Sequence, residues 1–474
     1  MQPETGPGSL GLRVKIYHGI GSVAYGIKDN GFAYFLLMFY STVVGLDAEL
    51  VGTALLIAMI LDALSDPIVG YLSDNTRSRW GRRHPFMYAS AVPVAACYAL
   101  LWNPPQLSNE GLFFYLLIMA VLIRTLITLF ETPSSSLLPE LTSDYDERTS
   151  LQSFRHFFGW TGGSLLAVIA FGFLLVPTES QPVGTLNREG YSTYGWLSAW
   201  IMFFAIMISS LGTQRHIRYF GEETSKQKGS VKRTFADIKE TLVNPNFFAL
   251  FLSTIAGSVA SGLTAALTFL MLTYFWDFSS MQIFYWTGLV VISALLGFVI
   301  APRAARKLGK KKAVMVLGVL AFSIQPLPVL LRLLNVLPEN GTPLLFPLVA
   351  TINTLDLGLI IAMQIVSASM IADLVEQSEL ATGRRSEGVF FSTLTFVRKT
   401  NQGIGVFIAG IVLAAVQFPE GTSPSEVDTA IMWNLGAMLV PIQWLLWALM
   451  LWALAYYRLN KTEHESNLLS LGRR

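Results

Sequence analysis

Charge is what this 474-residue sequence has least of: Asp, Glu, Lys and Arg together make up 14% of it, against about a quarter in an ordinary globular chain. That leaves too little polar surface to keep a body of this size in water. A cytosolic enzyme, a secreted scaffold and a disordered regulator are excluded. Cysteine is nearly absent, and Cys97 alone excludes an internal disulfide framework or a zinc-ribbon site. An excess of one sign is also missing: 33 basic against 31 acidic residues leave a net charge of +2, so no global field attracts nucleic acid. There is no Gly-rich phosphate loop, no His-Glu-x-x-His and no Cys-His pair, and neither covalent chemistry nor a cofactor is expected. What the chain has instead is apolar residues, 53% of the total with 12% aromatic. They are gathered in long runs, so the chain reads as a multi-spanning membrane protein.

A helix crossing a hydrocarbon core of about 30 Å needs about 20 apolar residues. Runs of that kind lie near 16–45, 50–73, 86–103, 112–138, 153–177 and 193–213. A second six lie near 246–275, 281–302, 313–334, 344–373, 389–416 and 431–457. The expected fold is all-α, with twelve transmembrane helices in two six-helix bundles. The bundles span 1–213 and 246–460, with a central loop at 214–245 and a tail at 461–474. Arg77, Arg79, Arg82 and Arg83, the lysines and arginines of 214–245, the Arg303–Lys312 connection and the tail all fall on one side. By the bias of Lys and Arg toward the cytoplasm, that side and both termini are cytoplasmic. The N-terminal segment has no signal-peptide form, and the first span serves as its own insertion signal. The expected location is the cell membrane, of the bacterial inner-membrane kind.

The chain repeats itself once. Arg79-Trp80-Gly81-Arg82-Arg83 after the second span is matched by Lys307-Leu308-Gly309-Lys310-Lys311 after the eighth. A basic–x–Gly–basic–basic pattern offset by about half the chain marks the six-plus-six parallel repeat of the major facilitator architecture. In it the glycine permits a tight turn.

Ionisable groups inside spans cost roughly 2.5–3.5 kcal/mol each on insertion scales, so each asks for a reason. Lys28 and Asp29 lie in span 1, Asp62 and Asp66 in span 2, Arg124 and Glu131 in span 4, Asp356 in span 10, and Arg398 and Lys399 in span 11. Asp62 and Asp66, four apart, stack on one helix face. Two carboxylates so close in low dielectric need a cation or a proton between them. Ser65 and Thr128 could add oxygen ligands for Na⁺, in which case Asp62 and Asp66 are its metal ligands. Arg124, Thr128 and Glu131 share a face of span 4 at i, i+4 and i+7. Arg124 reads as a structural neutraliser or as a solute-binding group, Asp356 as a structural neutraliser, and Lys399 as a coupling residue or a counter-charge to the acids. His18 and His156 at span ends read as snorkelling side chains.

The run from Asp62 through Ser65, Asp66 and Pro67 into Arg82 and Arg83 resembles the glycoside–pentoside–hexuronide:cation symporters. Lys28-Asp29, Thr128 with Glu131-x-Pro133, Asp144 to Arg155, Ile371 to Gly388 (which includes Arg385), and Thr395 with Lys399 follow in the order of that family. The resemblance implies a cation site of Asp62, Ser65, Asp66 and Thr128. It implies a solute site of Lys28, Asp29, Glu131, Arg155 and Thr395, to which Arg124 is added. Lys399 with Arg82, Arg83 and Arg385 are the expected coupling and gating residues. The chain departs from the family at Ser65, where asparagine is usual, at Glu131 for an aspartate, and at Ser135 and Gln364, where tryptophans are expected. The expected function is symport, coupled to Na⁺ or H⁺, of a glycoside or related hydroxylated small solute by alternating access. The partners are that solute, the coupling cation and the lipid bilayer. A carrier of an amphipathic solute such as a lysophospholipid is the alternative, and a transporter-like sensor a further one.

Overall fold

The computed structural model describes residues 10–141, 145–179, 181–217, 245–382, 387–419 and 422–457. Among the described residues there are helices and turns and no strand. Lipid requires this of apolar runs, because each backbone N–H and C=O must find its partner within its own segment. All twelve runs fall on helix. The first is broken into α1 (Leu12–Ile20) and α2 (Ser22–Asn30), continued by π-turns at Gly31–Phe35 and Phe39–Val44. Then come α3 (Ala48–Asn75), α4 (His84–Leu101), α5 (Asn109–Ser136), α6 (Tyr145–Ile169) and α7 (Arg188–Ile217). The second set is α8 (Pro245–Leu270), α9 (Ser280–Leu308), α10 (Lys310–Ile324), α11 (Leu327–Leu333), α12 (Leu345–Thr382), α13 (Glu387–Ala415) and α14 (Thr429–Ala455).

Among the described residues, nine stretches are long and apolar enough to cross a membrane. The runs that fall short are the first, second and eleventh, the ones that carry Lys28–Asp29, Asp62–Asp66 and Arg398–Lys399. Large apolar side chains face outward in both sets, among them Val92 (64% exposed), Phe173 (71%), Val291 (64%) and Phe298 (72%). Apolar surface on this scale is stable against lipid and not against water.

The chain divides into two compact units. One takes in α1–α7 with Ala266–Phe269 and Pro419–Ser423, and the other takes in the remaining helices. In the first, α3 packs along α5, α4 along α5 and α7, and α2 along α6. Its core is aromatic: Trp102 stacks on Tyr191 at 5.9 Å and meets Tyr194 edge-on at 5.0 Å, while Phe39 tilts against Trp102 at 5.2 Å. Buried tyrosines need a partner for the hydroxyl, and Tyr40 donates to the Leu101 carbonyl at 2.8 Å and Tyr98 to that of Ile27 at 3.2 Å. In the second unit α12 packs along α9 and α10. There Trp447 of α14 lies flat on Phe322 of α10 at 3.9 Å and donates its indole N–H to Gln325 at 2.5 Å.

Helix ends follow the local sequence. Ser279 and Gln282 form a reciprocal capping box at α9, and Ser108 and Asp428 cap α5 and α14 by accepting otherwise orphaned backbone N–H groups. The two repeat glycines adopt the conformation their spacing implies: Gly81 has φ +88° and Gly309 φ +76°, a region that favours glycine. Two helix crossings depend on glycine in another way. A Cβ on Gly26 of α2 would strike the Gly159 carbonyl of α6, and one on Gly163 would lie 2.5 Å from the Gly26 carbonyl. In the other unit a Cβ on Gly262 of α8 would strike the Gln402 carbonyl of α13, and one on Gly405 would lie 2.6 Å from the Leu263 nitrogen. Backbones at this distance leave no room for a side chain, the close approach that small residues permit between membrane helices.

Candidate functional site

The site is built on α3 and α5 of the first unit. Asp62 and Asp66 sit one turn apart on α3, which runs unbroken through Pro67. Arg124 and Thr128 sit one turn apart on α5, which likewise continues through Pro133. The two pairs meet. Arg124 donates from Nη1 to Asp62 Oδ2 at 3.1 Å, and Thr128 Oγ1 lies 3.1 Å from Asp62 Oδ1 and 2.9 Å from Asp66 Oδ1. Thr128 has one hydroxyl hydrogen to share between those two carboxylates. Asp62 and Arg124 are both buried, at 4% and 6% exposure. The Arg124 guanidinium also lies over the Phe32 ring at 4.7 Å, a cation–π contact that brings the first π-turn into the cluster. A buried carboxylate stripped of water is costly unless it is paired and hydrogen-bonded, and Asp62 is both.

Ser65 donates to the Asp62 carbonyl of its own helix at 2.9 Å. Its hydroxyl hydrogen is therefore turned to the backbone.

Of the expected solute residues, Arg124 belongs to this cluster, and the described others fall in two sets. Lys28 is buried and pairs with Asp29 at 2.6 Å, while the Asp29 side chain is 58% exposed. Arg155 donates to Ser135 Oγ at 2.6 Å, and Ser135 in turn donates to the Glu131 carbonyl at 2.7 Å. The Arg155 guanidinium also lies 5.9 Å over the Tyr25 ring. Ser135, at a position where a tryptophan is expected, thus serves as an arginine anchor. Glu131 is partly buried.

Other expectations fall elsewhere. Arg83 immediately precedes α4, and its carbonyl accepts from Phe86 and Met87. Arg82 lies beside it, beyond the end of α3, which extends 13 residues past Asp62 (75 − 62), or about 20 Å at 1.5 Å per residue. Those two arginines belong to that end of the unit and not to the acid pair. There His84 of α4 bonds Thr213 of α7 at 3.1 Å and Tyr88 bonds Gln214 at 2.7 Å. Thr395 and Lys399 lie on α13 with side chains outside the described residues, and Arg385 lies outside them altogether. His156 and the Asp144–Arg148 segment are also outside the described side chains.

Two expectations are corrected. His18 does not snorkel: it is 0% exposed and neither ring nitrogen has a hydrogen-bond partner among the described residues, because α1 lies against α6 and α7. Asp356, expected to neutralise a neighbouring base, pairs with none among the described residues: it is 3% exposed on α12 and its Oδ1 has no hydrogen-bond partner there.

A helical membrane chain with a buried, charge-paired carboxylate cluster in one six-helix half has the construction of a major facilitator transporter. The fold agrees. The structure is similar to the inward-open xylose transporter XylE from E. coli, with a TM-score of 0.60 at 15% identity over 97% of this chain and 99% of that one. The chain belongs to the MFS/sugar transport protein family, whose profile matches residues 17–461, and to its glycoside–pentoside–hexuronide symporters. It is 26% identical to the putative glycoside/cation symporter YagG of Escherichia coli (strain K12), over 96% of this chain and 94% of that one. It is also 26% identical to the isoprimeverose transporter of Lactiplantibacillus pentosus, over 80% of this chain and 75% of that one. The chain is a membrane transporter and not an enzyme.

Proposed function

We propose that this protein is a cation-coupled symporter that carries a glycoside or related hydroxylated small solute into the cell across a bacterial inner membrane, with both termini cytoplasmic. The observation that carries the reading is the acid pair: Asp62 and Asp66 face one Thr128 hydroxyl inside the helical bundle. Acids are costly to move through a dry interface; Arg124 offsets part of the charge of this pair, and a bound cation or proton lowers the cost further. Asp29, Glu131 and Arg155 supply acceptors and a donor suited to solute hydroxyls. The names of the relatives, glycoside/cation symporter and isoprimeverose transporter, support a sugar over a lipid. One coupled charge gains about 2.3 kcal/mol per 100 mV, or roughly 50-fold accumulation.

The test is uptake into proteoliposomes of labelled isoprimeverose, other glycosides and a lysophospholipid, each with an imposed Na⁺ or H⁺ gradient. Gradient-driven glycoside uptake by the native protein, lost in Asp62→Cys and Asp66→Cys, supports the reading. Saturable uptake of the lysophospholipid alone overturns the solute, and uphill uptake retained by both variants overturns the coupling site.

A further inference from the structure

We propose that the Arg124 guanidinium occupies the place of an alkali-metal cation at the Asp62–Asp66 pair, so that this pair does not take up Na⁺ or Li⁺. Arg124 is then the residue that sets the ion specificity of the site. The inference rests on the reading of the pair as the coupling site.

Three features of the geometry carry it. First, both carboxylate oxygens of Asp62 are already engaged from α5: Oδ2 receives Arg124 Nη1 and Oδ1 faces the Thr128 hydroxyl, each at 3.1 Å. A metal ion ligated by a remaining lone pair of Asp62 would stand within a few ångströms of that guanidinium charge. Second, the guanidinium is a permanent charge that cannot be deprotonated in a protein, and it is held in place. Its side chain is 7% exposed, against 5% for Asp62, and Phe32 lies against its face at 4.7 Å. It cannot swing into solvent without leaving Asp62 buried and unpaired. Third, a small oxygen-seeking cation gives up its water only where several oxygens and sufficient negative charge converge. The Arg124 guanidinium offsets one unit of the negative charge that the two carboxylates bring. A unit positive charge a few ångströms from an incoming monovalent ion, at an effective dielectric near 20, weakens its binding about a thousandfold.

The experiment is a thermal-unfolding titration of the full-length protein in detergent with NaCl and LiCl, against choline chloride at constant ionic strength. The native protein is expected to respond identically to the three salts, and so is Arg124→Lys, which keeps the charge. Arg124→Gln, which removes the charge and keeps a hydrogen-bond donor, is expected to gain a rise in Tm specific to Na⁺ or Li⁺. Its half-saturation should lie at least about a hundredfold below any response of the native protein. A Na⁺- or Li⁺-specific rise in the native protein at millimolar concentration overturns the proposal, as does an Arg124→Gln protein that folds and remains indifferent to the metal. Should Arg124→Gln fail to fold, native and Arg124→Lys protein decide: a metal response in either overturns the proposal and indifference in both supports it. The titration contains no solute. Absence of glycoside transport therefore overturns the function proposed above, while the salts still decide the role of Arg124.

Discussion

Adding one methyl group at Gly163 should destabilise the first unit, although the same change in an open helix position would stabilise it. Gly→Ala inside a helix gains about 1 kcal/mol in propensity. At Gly163 the new Cβ would stand 2.5 Å from the Gly26 carbonyl oxygen, where ordinary contact begins at 3.4 Å. The difference, 3.4 − 2.5 or about 0.9 Å, must come from parting α2 and α6, because a backbone oxygen has no rotamer to change. Overpacking of this kind costs typically 1–3 kcal/mol, and a clash between two backbones belongs at the upper end. The net is a loss of about 2 kcal/mol. Gly405→Ala in the second unit should lose a similar amount, since its Cβ would meet the Leu263 nitrogen at 2.6 Å. Gly288 of α9 is the internal control: nothing lies within 4 Å of its Cβ, so Gly288→Ala should hold or raise stability. The assay is thermal unfolding of the three purified variants in one detergent. The reasoning fails if Gly163→Ala melts at or above the native temperature.

Two further outcomes are expected of the same structure. Asp62→Asn leaves the buried Arg124 without its counter-charge and should cost about 3–5 kcal/mol, whereas adding Arg124→Gln to it should recover a large part of the loss; equal instability of the single and double variants in thermal melts would show that the ion pair is not the cause. Replacing Gly81 or Gly309, at φ +88° and +76°, with Ala should cost about 1–2 kcal/mol of strain each, while Asn, which tolerates that region better, should cost less; equal melting of the Ala and Asn variants would refute the argument.

The parts of the site that belong to one helix are legible in the sequence, and those that depend on two helices are not. The Asp62–Asp66 stack comes from i, i+4 spacing, as does the shared face of Arg124 and Thr128. That Thr128 meets both acids, and that Arg124 falls on Asp62, depends on the stagger of α3 against α5, which no local pattern encodes. One signal was available: once Thr128 is assigned to the acid pair, Arg124, one turn before it, falls within one turn of that pair. Ser135 conveys no role by itself and acquires one from Arg155, 20 residues on. Gly159 and Gly163 do carry a signal, the Gly-x-x-x-Gly spacing that lets membrane helices approach closely, but their partner Gly26 lies in another helix and is not given by that spacing. His18 misleads because a polar residue near the start of an apolar run looks like a membrane-surface residue, while α6 and α7 cover it. Nine of the spans are plain among the described residues, since apolar length is a property that lipid reads directly, and the charge-bearing first, second and eleventh runs are less so.

The π-turns carry a consequence for how this chain can be edited. Among the described residues there are four, at Gly31–Phe35, Phe39–Val44, Ala170–Leu174 and Met271–Phe275. A π-turn amounts to one residue inserted into an α-helix, and each residue rotates the downstream part of the helix by about 100°. The helix that bears Lys28 and Asp29 is therefore geared to the segment bearing Phe35 and Phe39 through a one-residue cog. Deleting a single residue there would relax the turn to α-helix without shifting any loop. The charged upstream face would then turn against the aromatic downstream one by more than a quarter of a revolution. Length polymorphism of one residue, ordinarily ruinous inside a membrane helix, becomes at these places a way to re-aim one stretch of side chains against the next.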